Sequence, residues 1–423
     1  MKKKILINFF LLATTLNANQ NTIYSTENLS LGNIQNNNNY GSQLFYNPAS
    51  ISNNLYKFNT EFNVNLSMRD EDFLTINEVL KDINFNKFKN QTSKINLLTE
   101  EEKKEYFENY NNILKILKYN NKNVKTTLNL NTILEYKNFA ISINQKNILK
   151  TTLKTYDKKD LIITEDNINF YKYDLDLETY VKTSEKDYND NSLILNLTDN
   201  SYLNRETITI TEIPLTFAKE FRLINNDKLS IGSSIKLMNV ISTNENYNFE
   251  NLSDISNINK NIDKKIENKL LYDIGLIYKP RILDIIKIGI SGRNINKQTF
   301  ILKSGNKYLI DREIKGNLII TPNKYITASL SGDFVQYKID EEKNKNIAAG
   351  IQFKPFKYFN INFGIMKNIA YKKYGYLYSG GINIGGDNIK LNISGQMSNK
   401  TIDINDNTIP QYANLGIGLT IRF

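Results

Sequence analysis

The chain has 423 residues and contains no Cys, no His and no Trp. These absences exclude disulfides, thiolate chemistry, a cysteine-linked lipid anchor, His-containing zinc sites and any catalytic scheme that needs a histidine base. The net charge is +10, from 54 Lys and Arg against 44 Asp and Glu. Because the positive charges are dispersed along the chain, we expect no nucleic-acid partner. We also expect no cofactor and no enzymatic activity.

Residues 1–18 have the features of a secretory signal peptide. Lys2 to Lys4 provide the positive start, Ile5 to Ala13 form a short apolar run, and cleavage is predicted after Ala18. This run is too short to span a bilayer as a helix, which takes about 20 apolar residues. An exported membrane protein with this sequence would therefore cross the membrane with strands.

Residues 19–56 are rich in asparagine and contain the tripeptide Asn47-Pro48-Ala49. Such a segment could be a disordered lead-in or a plug inside the lumen of a barrel. Residues 57–423 are predicted to form the barrel itself.

The segment 72–123 is predicted to be a helical insertion in an outer loop. Thr99 and Glu102 form a capping box at the start of a helix. An apolar face follows, and it consists of Tyr106, Phe107, Tyr110, Ile113, Leu114 and Leu117. This face either packs against other loops or forms a groove for a hydrophobic small molecule. The run 69–72 lacks the spaced ligands of a calcium loop, so no metal site is expected.

Alternation of apolar and polar residues dominates the remaining sequence and predicts an all-β, antiparallel transmembrane barrel. Short connections alternate with longer polar segments from about residue 205 onward. This pattern predicts tight periplasmic turns and longer outer loops, with about 14–16 strands. The segments 169–181 and 192–199 are the doubtful pair. The predicted turns are at 225–227, 280–281, 322–323, 354–356 and 385–387.

Charged residues occupy alternate positions on some predicted strands. Asp174, Asp176 and Glu178 would line the lumen if 169–181 were a barrel strand, and Asp333 would face inward on another strand. Such a stripe could form a cation path, or it could be the ordinary polar lining of a lumen.

The last predicted strand, 411–423, ends in an alternating pattern up to the terminal Phe423. Together with Ile421 and Gly418, this end resembles the signal read by the outer-membrane barrel assembly machinery. Gly416 stands where that signal has a polar residue. The expected location is therefore the outer membrane of a Gram-negative bacterium, with outer-membrane lipid and the assembly machinery as partners.

Several short motifs occur in an order typical of one superfamily. The chain resembles the long-chain fatty-acid transporter (FadL) superfamily of outer-membrane barrels, and within it the TraF-like branch of conjugal transfer proteins. The motifs are Asn47-Pro48-Ala49, Glu212-Ile213-Pro214-Leu215, Gly232 with Lys236, Tyr272-Asp273-Ile274-Gly275 through Tyr278, and Gly289 through Arg293-Asn294. The resemblance implies an N-terminal plug and passage of a hydrophobic small-molecule ligand through a side opening. The TraF-like branch implies instead an accessory envelope barrel in conjugal transfer or secretion, with no solute transport of its own. A surface adhesin is a third class that the long polar loops leave open.

Overall fold

The alternating segments form the wall of a closed barrel in the computed structural model of the chain. The structure describes residues 23–35, 41–53, 57–70, 85–117, 120–155, 158–164, 166–248, 263–340, 342–370, 375–404 and 407–423. The predicted signal peptide and residues 71–84 lie outside the described residues. Fourteen strands pair antiparallel with their neighbours, and the last strand pairs with the first to close the barrel. The all-β barrel prediction is confirmed.

The barrel strands are numbered here in chain order. They are β1 (Phe58–Asp70), β2 (Asn123–Tyr136), β3 (Phe139–Lys154), β4 (Tyr202–Arg222), β5 (Lys228–Asn248), β6 (Lys264–Lys279), β7 (Ile286–Arg293), β8 (Glu313–Asn323), β9 (Ile326–Asp333), β10 (Asn346–Phe356), β11 (Phe359–Asn368), β12 (Tyr376–Gly385), β13 (Ile389–Ser398) and β14 (Tyr412–Arg422).

The strands are apolar on the outside and polar on the inside, the reverse of a soluble protein. On β14, Leu415 and Ile417 are 67% and 59% exposed, whereas Asn414 and Thr420, at alternate positions of the same strand, face the interior and are buried. This alternation is what a barrel wall in lipid requires. Separately, no helix among the described residues is long and apolar enough to cross a membrane.

The connections divide by length between the two ends of the barrel. The six connections at one end, here called the short-turn end, are brief, and all five predicted turns lie there. The other end carries the long loops, including the helical insertion between β1 and β2. The short connections are 137–138, 223–227, 280–285, 324–325, 357–358 and 386–388.

Residues 169–181 were predicted as a doubtful barrel strand, and this prediction is wrong. Three short strands, Ile162–Thr164, Phe170–Asp174 and Thr179–Thr183, form a separate sheet within the β3–β4 loop. Five residues are too few to span a bilayer, which takes about 9–11. Residues 192–199 are likewise helical rather than a barrel strand. The barrel therefore has the lower of the predicted strand numbers.

The remaining elements belong to the N-terminal segment and the loops. The helices are α1 (Thr26–Ser30), α2 (Phe85–Thr92), α3 (Glu100–Leu117), α4 (Glu185–Asn191) and α5 (Leu193–Leu195), with 3-10 turns at Gly41–Phe45, Pro48–Asn53 and Ile95–Leu97 and a π turn at Asn196–Asn200. A four-stranded sheet, here called the loop sheet, consists of Gln298–Ile301, Lys307–Ile310, Tyr337–Ile339 and Glu342–Asn344. A hairpin of Thr401–Ile404 and Asn407–Pro410 completes the loops.

Candidate functional site

The N-terminal segment, residues 23–35 and 41–53, lies inside the barrel. Every residue of it whose side chain is described is buried. The 3-10 turn Pro48–Asn53 contacts β4, β5 and β6, whereas α1 contacts β11, β12, β13 and β14 on the other side. The segment therefore crosses the lumen from one wall to the other.

Glycines in the wall let the backbone of this segment approach closely. A Cβ atom on Gly232 of β5 would lie 2.4 Å from the Ala49 nitrogen, and one on Gly364 of β11 would lie 2.2 Å from the Gly32 nitrogen. Real Cβ atoms do not come so near to backbone atoms, so only glycine fits at these positions. Two of the four contact residues, Gly232 and Ala49, come from motifs that carry the family resemblance.

Asn47 attaches the segment to the wall through its side chain. Its amide nitrogen donates to the carbonyl oxygens of Leu276 (3.0 Å) and Ile290 (3.3 Å), which belong to the neighbouring strands β6 and β7. Its side-chain oxygen accepts from the Ala49 nitrogen at 3.0 Å. Gly275 makes room for that oxygen, which would lie 2.0 Å from a Cβ atom there. The tripeptide Asn47-Pro48-Ala49 is thus a contact between the N-terminal segment and the wall.

A buried ion pair holds the opposite side of the segment. Lys390 Nζ lies 3.2 Å from both carboxylate oxygens of Glu27. Oε1 of Glu27 also accepts from the side-chain nitrogens of Asn383 (2.9 Å) and Gln352 (3.1 Å). Burial raises the pKa of the Glu27 carboxyl, but Lys390 together with Arg422 and Lys354 outweighs burial, so the net pKa is lowered. Glu27 is therefore held as a carboxylate at neutral pH.

A second polar network joins the wall to the segment. Lys236 Nζ lies 2.8 Å from Asp273 and donates to the Asn294 side-chain oxygen at 2.5 Å. Arg293, next in the chain to Asn294, pairs with Glu313 at 3.3 Å and donates to the Tyr24 hydroxyl at 2.5 Å. Residues from three motifs of the resemblance, in β5, β6 and the end of β7, therefore meet at one place in the lumen.

The loop sheet fills the lumen on the long-loop side of the N-terminal segment. Phe300, Leu302 and Tyr308 pack against inward-facing apolar side chains such as Ile210 and Met238. The cavity between the sheet and the segment has a volume of about 40 Å³ and is lined by residues that include Tyr24, Lys146, Glu212 and Arg293. A cavity of this size holds water but no small organic ligand.

Glu342 connects the loop sheet to strands β1 and β2 of the wall. Its carboxylate forms ion pairs with Arg69 of β1 and with Lys125 of β2, the latter with an Nζ–Oε1 distance of 3.5 Å. Burial raises the pKa of Glu342, but the two cations outweigh it and lower the pKa to about 2. The contribution of this contact to stability is therefore complete above the ordinary carboxyl pKa, about 4.3, and is lost as the pH falls toward 2.

We expect the loop sheet to loosen on acidification. The chain has no Trp, so Phe300→Trp places a single fluorophore in the sheet. Its emission should shift to longer wavelength as the pH falls from 5 to 2, and Glu342→Gln should cause that shift already at pH 7. The exposed Glu101→Gln serves as control and should change nothing. An unchanged emission in Glu342→Gln would contradict this role of Glu342.

The predicted hydrophobic face of α3 is covered by protein. Tyr106, Ile113 and Leu117 are buried in a core with residues of the β3–β4 loop, and Phe107, Tyr110 and Leu114 pack against the same core. The capping box forms as predicted, with the Thr99 nitrogen donating to the Glu102 carboxylate at 2.8 Å. Of the two interpretations of this face, the structure shows packing between loops.

The predicted acidic lining of the lumen is partly wrong. Asp174, Asp176 and Glu178 lie at the tip of the loop hairpin, where the Asp174 carboxylate accepts from the nitrogens of Asp176 (2.9 Å) and Leu177 (3.1 Å). These Asp residues form a turn, which alternation alone does not distinguish from a strand. Asp333 does face the interior, where its carboxylate accepts from the Asn346 nitrogen at 2.5 Å. No group of three acidic residues that could hold a metal ion occurs in the described part of the chain.

The C-terminal residues close the barrel. Phe423 and Phe58 exchange backbone hydrogen bonds of 2.9 and 3.1 Å, and Ile421 pairs with Thr60 of β1. Gly418 faces the interior, where a Cβ atom would lie 2.5 Å from the Asn63 side-chain oxygen. The residues of the predicted assembly signal thus form the seam between β14 and β1.

The wall has a weak point between β3 and β4. The paired ladder of these strands is interrupted at Ser142 and Ile143, which lie opposite Ile213 and Pro214. Proline has no N–H to donate and is rare inside a sheet for that reason. The buried Ser142 hydroxyl has no hydrogen-bond partner among the described residues.

Apolar surfaces lie on both sides of this weak point. Outside, a depression of about 640 Å³ is lined by residues that include the exposed Phe139, Ile141 and Leu215. Inside, Leu44 and Phe45 of the N-terminal segment belong to a buried cluster that includes wall residues Ile133 and Ala140. Only the small side chains of Ala140 and Ser142 face inward at this part of β3.

Comparison with known proteins gives one sequence family and several similar solved structures. No curated protein matches the chain. The solved structures include a TodX deltaS2S3 mutant monoaromatic hydrocarbon channel (9% identity, covering 95% of this chain and 99% of that chain, TM-score 0.49). A Pseudomonas aeruginosa FadL homologue (9%, 95% and 99%, TM-score 0.47) and the CymD monoaromatic hydrocarbon channel (8%, 94% and 96%, TM-score 0.49) are also similar. The family described as "F plasmid transfer operon, TraF, protein" matches residues 44–333, more than half of the chain. The chain therefore belongs to this TraF family.

Proposed function

We propose that this protein is an outer-membrane barrel, closed by an N-terminal plug, that passes hydrophobic small molecules sideways through its wall between β3 and β4. The observation that carries the proposal is the interrupted ladder at Pro214, which lies between apolar surfaces on both sides of the wall. The N-terminal segment, residues 23–35 and 41–53, acts as the plug, and the short-turn end faces the periplasm after export and assembly.

The filled lumen supports a sideways route rather than an axial one. The N-terminal segment and the loop sheet occupy the lumen and leave a cavity of about 40 Å³ between them. Leaving through the wall would release an apolar molecule directly into the lipid, where it is most stable. A polar solute would gain nothing from this route, because the outside of the wall is apolar.

We expect Pro214→Thr to reduce passage of hydrophobic compounds. Threonine restores a backbone donor opposite Ser142, and one hydrogen bond stabilises the ladder by about 1 kcal/mol. Uptake of a fluorescent fatty-acid analogue would be measured in cells that lack their own proteins for hydrophobic uptake. Pro322→Thr, which alters a proline near a turn, should leave uptake unchanged. Equal uptake by wild type and Pro214→Thr, with both proteins folded in the membrane, would overturn the proposed route.

A second candidate is an accessory envelope barrel in conjugal transfer or secretion. The family match favours it, and a filled lumen suits a protein that acts through its loops. The exposed surface of the loops around α3 would then contact an envelope partner. Deletion of the chain would lower conjugation or secretion without changing hydrophobic uptake, which separates this candidate from the first.

A further inference from the structure

Four exposed lysines at the short-turn end each lie over an exposed aromatic ring. The distances from Nζ to the ring centroid are 5.2 Å for Lys137 and Tyr136, 5.4 Å for Lys219 and Phe221, 5.0 Å for Lys324 and Tyr325, and 5.4 Å for Lys357 and Tyr358. The rings are between 42% and 58% exposed. At the long-loop rim, Lys367 over Tyr376 is the corresponding pair in the described part of the chain.

The four pairs lie at four of the six turns of the short-turn end. Tyr136 and Phe221 occupy exposed, outward positions at the ends of β2 and β4, and Tyr325 and Tyr358 lie within the β8–β9 and β10–β11 turns. Outward aromatic rings at the end of a barrel mark the boundary between the hydrocarbon core and the headgroups. The ammonium groups above these rings are therefore held in the plane of the headgroups rather than in the water beyond.

Charge at this end is strongly positive. Five of the six turns have at least one Lys or Arg within them or directly beside them, whereas acidic residues occur within three of the six, as Asp227, Asp284 and Asp387. Asp227 is already engaged by the Tyr278 hydroxyl at 2.5 Å and the Arg281 nitrogen at 2.7 Å. Within the described residues, none of the four lysines pairs with a carboxylate. Their charges remain available to an external anion.

From this arrangement we infer that the four Lys–aromatic pairs, here called the Lys–aromatic belt, bind anionic phospholipid headgroups of the leaflet at the short-turn end. A phosphate accepts hydrogen bonds from the lysine ammonium, while the acyl chains lie along apolar residues of the wall. Next to the first two pairs, the rings of Phe139 and Phe217 pack together with centroids 4.9 Å apart and an angle of 44° between their planes, and they offer such a surface. The inference rests on the membrane orientation of the proposed function and is independent of its cargo.

The test counts lipids bound to the purified full-length protein by native mass spectrometry, with phosphatidylglycerol or phosphatidylcholine added in turn. The wild type should retain phosphatidylglycerol in preference to phosphatidylcholine. The fourfold variant Lys137→Gln, Lys219→Gln, Lys324→Gln and Lys357→Gln should lose that preference, with affinity weakened about fivefold for each lysine removed.

A charge-matched variant separates the belt from net charge. It carries Lys104→Gln, Lys307→Gln, Lys343→Gln and Lys400→Gln, which are exposed lysines in the long loops, and it should bind like the wild type. Equal phosphatidylglycerol binding by the belt variant and the wild type would overturn the inference, as would an equal loss in both variants. Heat-modifiable migration in gels confirms that each barrel is folded. The uptake assay of Pro214→Thr fails or succeeds independently of these results.

Discussion

Replacing Gly232 with valine is expected to drive the N-terminal segment out of the lumen while the barrel still closes. The added Cβ atom would lie 2.4 Å from the backbone of Pro48 and Ala49. A flexible side chain could move aside, but here the neighbour is the backbone of a 3-10 turn that also packs against β4 and β6. We expect Gly232→Val to make the free energy of docking the segment less favourable by about 3 kcal/mol.

The chain has no Cys, so Ser50→Cys provides a single thiol in the buried part of the segment. In the wild-type background, a maleimide should react with it slowly. With Gly232→Val, the reaction should be on the order of 100-fold faster, because each 1.4 kcal/mol corresponds to tenfold. Gly292→Val is the control, since a Cβ atom at Gly292 meets nothing nearer than 3.5 Å. Continued protection of the thiol in a folded Gly232→Val barrel would contradict the close approach described here.

Glu27→Gln should also release the segment, and for an electrostatic reason. The change leaves the Lys390 ammonium buried without its counter-charge, and breaking such a pair costs about 3–5 kcal/mol. The double variant Glu27→Gln with Lys390→Gln removes both charges and should recover part of this loss. The same maleimide reaction at Ser50→Cys measures these two variants and the single variant Lys390→Gln, which together with the parent chain form a double-mutant cycle.

The pH dependence of this contact has a definite sign. The pKa of Glu27 is lowered in the folded protein, so the ion pair contributes its full stabilisation above the ordinary carboxyl pKa and loses it as the pH falls. Thiol protection in the wild type should therefore weaken on acidification, whereas Glu27→Gln should show little of this dependence. Protection that is equal in the single variant and the wild type at neutral pH would show that Glu27 does not hold the segment.

The barrel could be predicted from the sequence because its signals are local. The alternation on β14 and the turn residues at 225–227 and 385–387 are each recognisable within a few consecutive positions of the chain. The lipid selects an apolar outward face on every strand. The same signal failed at 169–181, where a loop hairpin alternates as well as a barrel strand does. Segment length and the Asp174 turn distinguish them, but neither is evident before the strand bounds are known.

The contacts that fill the lumen could not be predicted in the same way. Glu27 and Lys390 are 363 positions apart, and Arg69 and Glu342 are 273 positions apart, with no pattern in the sequence that links them. Glu27 lies in an asparagine-rich segment with no periodicity, and Glu342 lies in a loop. The family resemblance includes Asn47-Pro48-Ala49, Gly232 and Gly275 as separate motifs, but their contact with one another becomes evident only when the wall and the segment are seen together.

The proposed function requires a lumen that is closed by the N-terminal segment and the loop sheet, because only then would transported molecules have to pass through the wall. Conductance of the purified barrel in a planar bilayer tests it most directly. The wild type should be silent, and a chain that lacks residues 19–56 and carries Glu342→Gln should show steady ion-conducting channels. A steady open conductance of the wild type, or silence of the doubly altered chain when it is folded in the bilayer, would contradict the account.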